Sequence, residues 1–84
     1  MTWLTFELAH RNDLPNVERF TYTMPDGTAY AATVCRTIVG AWIATVTDPV
    51  GWPVWRPTRP YIDRSALIRR CTEEIDREAR RRAV

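Results

Sequence analysis

Eighty-four residues, 45% of them apolar and 26% charged, with a net charge of +2, make a single domain over residues 1–84 and leave no room for a second. The chain is too apolar and too weakly charged to be disordered, and no apolar run approaches the ~20 residues of a membrane-spanning helix. All 12 basic side chains are arginine and four residues are tryptophan, so planar cations and large rings dominate the chemistry on offer.

Residues 3–9 alternate, with Leu4, Phe6 and Leu8 against Thr5 and Glu7, which predicts a half-buried strand. Asn12, Asp13 and Pro15 make 11–16 read as a loop. A second strand places Phe20, Tyr22 and Met24 inward and ends at Pro25-Asp26-Gly27, a hairpin signal. A third strand from about Thr28 to Ile38 and a fourth from Ala41 to Thr47 turn around Gly40. Tyr30, Ala32, Val34, Trp42, Ala44 and Val46 share the inward parity. Asp48-Pro49-Val50-Gly51 has Asp, Pro and Gly where a type I turn wants them, and a short fifth strand around Val54 to Arg56 follows.

The opposite parity carries Thr5, Thr21, Thr23, Thr33, Thr37, Thr45 and Thr47, so one sheet face is apolar and the other is threonine. Arg36 takes the inward parity near a strand end while Cys35 and Ile43 take the outward one, and a bulge would account for them. Pro53, Pro57 and Pro60 stiffen the stretch from Trp52 to Tyr61 into a connector. Asp63 then caps a helix from Arg64 to Ala83, with Ile62 and Leu67 at the two positions of a hydrophobic staple. Leu67, Ile68, Cys71, Ile75 and Ala79 form its apolar stripe, and the apolar sheet face is the surface that can cover it. The expected fold is α+β: a four- to five-stranded antiparallel sheet with one C-terminal helix packed on one face.

Catalytic and metal-binding chemistry finds little material, and no catalytic residue, metal ligand or cofactor is expected. Cys35 and Cys71 read as free thiols, since two cysteines far apart make neither a disulfide framework nor a zinc ribbon. A cysteine-dependent enzyme would need Cys35 beside the single histidine, His10, which requires the first and third strands to be neighbours. Glu73 and Glu74 read as solvated helix charges. The N-terminal residues show neither the basic start nor the apolar stretch of a secretory signal, which points to the cytoplasm.

Two surfaces invite a partner. Arg69, Arg70, Arg77, Arg80 and Arg81 lie opposite the apolar stripe with only Glu73 and Asp76 among them, and Glu73–Arg77 and Asp76–Arg80 have the spacing of helical ion pairs. Trp52, Trp55, Arg56, Arg59 and Tyr61 bring rings and guanidinium groups together on the stiff connector, a composition typical of binding hot spots, the alternative being that Trp52 and Trp55 cap the open end of a small core.

From Ala31 to Ile75, the order of strand, Trp42-bearing strand, short strand and helix resembles the three-stranded DNA-reading domains at the N-termini of some phage-type integrases, an arrangement that implies duplex DNA as a partner. Residues 1–62 carry five Arg and five acidic residues, however, so a sheet-borne reading face would have little positive charge. In size and plain construction the chain also resembles short phage-encoded inhibitors of bacterial defence complexes, including anti-CRISPR proteins, which implies that it binds a larger protein, such as one in a nucleic-acid-handling complex. The leading expectation is a non-enzymatic protein-interaction module, monomeric or dimeric through an open sheet edge, with no membrane partner. Direct DNA binding is the alternative, and a cysteine-dependent enzyme the more remote one.

Overall fold

The computed structural model describes residues 7–14 and 16–82, with side chains from residue 16 onward. Among the described residues five strands, β1 (Glu7–Leu14), β2 (Val17–Thr23), β3 (Ala29–Arg36), β4 (Trp42–Thr47) and β5 (Pro53–Trp55), precede one helix, α1 (Arg64–Arg82). The strands form a single antiparallel sheet in chain order, β1-β2-β3-β4-β5. The part of the expected first strand that covers Trp3 to Phe6, with Thr5, lies outside the described residues.

Three of the four hairpins are built alike. The amide N–H groups of Gly27, Gly40 and Gly51 donate to the carbonyls of Met24, Thr37 and Asp48 at 2.9, 3.0 and 2.9 Å. Each glycine sits at a positive φ between 84° and 90° or, for Gly51, at 94°. This is a type I turn closed by a left-handed residue, a geometry that matches the twist of the flanking strands and that a Cβ would strain. The β1–β2 turn uses Asn16 at φ 65° instead, Asn being the side chain that best tolerates that region.

The parity of the middle strands decides the layers. Phe20, Tyr22, Met24, Tyr30, Ala32, Val34, Ala44 and Val46 are buried on one face, where Leu67, Cys71, Ile75 and Ala79 of α1 meet them. Trp42, Val54, Trp55, Tyr61 and Ile68 fill the margins. The helix lies chiefly over β4, flanked by β3 and β5, and the small side chains of Ala32 and Ala44 let its backbone approach. Each large aliphatic side chain taken fully out of water here stabilises the fold by about 1.5–3 kcal/mol. Thr21, Thr23, Thr33, Thr45 and Thr47 are half-buried on the other face.

Three expectations are corrected. Residues 11–14 are strand rather than loop: Arg11 pairs with Arg19 and Leu14 with Val17, with a register irregularity between them that absorbs the poor strand formers Asn12 and Asp13. Cys35 and Ile43 need no bulge, because the β3–β4 register runs unbroken from Ala31↔Thr47 to Arg36↔Trp42 and the two residues oppose each other on the threonine face. Asp63 does cap the helix, accepting from the Ser65 N–H at 2.9 Å, but Ile62 is 92% exposed and makes no staple with Leu67. The edge of the core is filled by Tyr61, held there by its backbone pairing with Trp42.

Candidate docking site

The connector between β5 and α1 is tied down at both ends. Pairing of Pro53 and Trp55 with β4 fixes its start. At its far end the Trp42 N–H donates to the Tyr61 carbonyl at 2.7 Å and the Tyr61 N–H donates back at 2.8 Å. Between these anchors, Pro57 and Pro60 restrict φ and remove two backbone donors, so the segment runs from β5 to α1 without forming a further strand.

The connector lines a cleft of about 600 Å³ whose walls include Trp55, Arg56, Arg59, Tyr61 and, from α1, Arg70. The Arg70 guanidinium stands 5.4 Å from the Trp55 ring centroid, within range of a cation–π contact, while its Nε donates to Glu74 Oε2 at 2.8 Å. Arg56 donates to Thr45 Oγ1 at 3.3 Å. Among the described residues neither Arg56 nor Arg59 has a carboxylate partner. A second hollow of about 330 Å³ opens on the threonine face against the first, lined by Thr33, Cys35, Ile43 and Thr45 and sharing Arg56 and Pro57 with the cleft.

The helix arginines are in a different electrostatic state. Arg70 and Arg77 converge on Glu74, whose relative exposure is only 8%. Arg80 pairs with Asp76 at 3.0 Å. Arg81 and Arg82 share Glu78, and Arg82 also reaches Asp48 in the β4–β5 turn at 2.8 Å. Hydrogen bonding to Arg81, and then to Arg82, holds the Glu78 carboxyl below its ordinary value against the opposing effect of burial. Burial pushes the Asp48 carboxyl up, but donation from the Trp52 N–H, Arg82 and the Val50 N–H outweighs it and leaves that group also depressed. At the other end of α1, Arg64 grips Glu18 with two donors, one at 2.8 Å, and stands 5.8 Å from the Trp42 ring centroid.

The structure therefore divides the expected contact residues. Trp55, Arg56, Arg59, Tyr61 and Arg70 come together around the cleft. Trp52 does not join them: it is 71% exposed beside the β4–β5 turn. Arg69 is exposed and has no ion pair among the described residues, whereas Arg77, Arg80 and Arg81 are engaged with acids of their own helix. Arg70 lies on the flank of α1 that faces the connector rather than opposite the apolar stripe. Glu74 is buried rather than solvated, and Arg77 chooses it over Glu73. Glu74 sits three residues after Cys71 and Glu78 three after Ile75, so both border the apolar stripe, but that spacing alone does not mark them as buried.

For nucleophilic chemistry, β2 stands between β1 and β3, so His10 and Cys35 occupy non-adjacent strands. Cys71 is wholly buried and its thiol is pushed up to about 11, first by burial. Among the described residues no three His, Cys, Asp or Glu side chains gather as a metal site, and no helix is long and apolar enough to cross a membrane. What the cleft can do is hold an anionic group against planar cations while an apolar or planar group lies on Trp55 or Tyr61. No family model, curated protein or solved structure matches this chain.

Proposed function

We propose that this chain is a protein-interaction module that docks a larger protein at the connector cleft. One observation carries the reading: Arg56 and Arg59 lack carboxylate partners among the described residues and line a cleft with Trp55 and Tyr61, while six arginines of α1 are engaged with acids of the same chain. Arginine and aromatic residues around a recess are the usual composition of an interface hot spot. The helix ion pairs weigh against duplex DNA, because a cation already matched to a carboxylate adds little to phosphate binding. A module of this size and rigidity would also suit an inhibitor that occludes a surface of a bacterial defence complex.

A photo-cross-linking residue placed at the exposed Thr58, in the cleft wall, tests this in the source cells, with the exposed Thr28 in the distant β2–β3 turn as the control position. The expected result is one protein cross-linked from Thr58 and lost with Arg56→Glu, with nothing specific from Thr28. Equal cross-linking from both positions, or duplex binding at nanomolar affinity that persists at moderate salt, would overturn the reading.

A further inference from the structure

The cleft and the hollow beside it form one track. Arg56 and Pro57 belong to both, so a ligand leaving the cleft over this ridge arrives on the threonine face above Cys35, Ile43 and Thr45. Ile43 is 42% exposed, an apolar residue where the rest of that face is mainly threonine and alanine. The guanidinium of Arg56 rests on Thr45 at the junction, with no carboxylate of this chain beside it among the described residues.

We propose that the occupant of this track is an extended acidic segment of the partner protein. Its carboxylates would meet Arg56 and Arg59, with one apolar side chain over Trp55 and another over Ile43. This rests on the interaction-module reading and adds the chemistry of what is recognised. Charge decides it: the track presents the guanidinium groups of Arg56 and Arg59, which no carboxylate of this chain engages among the described residues, against the one carboxylate of Asp63 in its lining, which caps α1, while Arg70 is matched by Glu74. Shape supports a segment over a globular surface, because two adjoining hollows divided by a ridge accept side chains spaced along an extended backbone, whose successive residues rise by about 3.3 Å.

The chain carries its own reporter. Cys35 is partly exposed in the second hollow while Cys71 has no exposed surface, so a trifluoromethyl thiol reagent under native conditions labels Cys35 alone. The probes are dodecapeptides selected against the full chain from a random display library, and a dT10 oligonucleotide. The expected result is enrichment of Asp or Glu flanked by apolar residues. A selected peptide should move the Cys35 fluorine resonance saturably, and Arg56→Gln with Arg59→Gln should weaken its binding at least tenfold without shifting Tm. Enrichment without acidic residues, no enrichment at all, or displacement of the selected peptide by dT10 at lower concentration than by unlabelled peptide would overturn the proposal. No enrichment together with specific cross-linking from Thr58 would remove the acidic segment and leave the interaction module standing, so the two readings fail separately.

Discussion

Ile75 has no exposed surface and belongs to the same core cluster as Val34, Val46 and Leu67. Its truncation leaves a hole that the close-packed sheet and helix cannot collapse to fill. Ile75→Ala is expected to lower the unfolding free energy by about 2–5 kcal/mol, read from the urea midpoint at unchanged slope. A loss below about 1 kcal/mol would mean that α1 is loosely held. At this scale the inward residues were the most legible part of the sequence, because Phe20, Tyr22, Val34, Ala44 and Val46 follow a period of two that no other structure imposes. Glu74 and Glu78 were not legible as buried residues. A carboxylate beside an apolar stripe has the spacing of a solvated charge, yet two arginines fold over each of these two, and that covering depends on side-chain paths rather than on spacing alone.

Among the elements, α1 takes its start from Asp63, whose carboxylate accepts from the Ser65 N–H and whose carbonyl accepts from the Leu67 N–H at 3.2 Å. Asp63→Ala removes one acceptor for the unpaired donors of the first turn. It should cost about 1 kcal/mol by thermal or urea unfolding, while Asp63→Ser should cost only a fraction of that. Equal losses for both would show that the charge, not the cap, matters. The three glycine-closed hairpins were legible because each carries its glycine at the left-handed position. The extension of β1 to Leu14 was hidden, since Asn12 and Asp13 favour turns locally and only pairing with β2 holds them extended. The cleft was half legible: Trp55, Arg56, Arg59 and Tyr61 stand within seven residues, whereas Arg70 joins them only through the packing of α1 over β4 and β5.

For the molecule as a whole, the ion pairs tie the two layers together at opposite ends. Arg64 joins α1 to β2 through Glu18, and Arg82 joins it to the β4–β5 turn through Asp48. Asp48 and Glu78 are depressed in the folded state, so their contribution is fully present above the ordinary carboxylate range and is lost as pH falls through the folded values. Tm should therefore be level between about pH 7 and 5 and fall below about pH 4, with a shallower fall in Arg82→Gln. A Tm that holds down to pH 3 in the native chain would mean that these pairs contribute nothing to folding.

The arginines divide the labour: those of α1 other than Arg69 neutralise acids of their own chain, and those of the connector are left for a partner. Arg77→Gln with Arg81→Gln strips a cation from each of the buried carboxylates Glu74 and Glu78, whereas Arg56→Gln with Arg59→Gln removes cations that no acid of this chain engages among the described residues. Measuring Tm and capture of the Thr58-cross-linked protein in parallel for the two double variants compares these roles directly. A lower Tm with capture retained is predicted for the helix pair, and an unchanged Tm with capture lost for the connector pair. Capture lost from the helix pair at unchanged Tm, with the connector pair still binding, would contradict it.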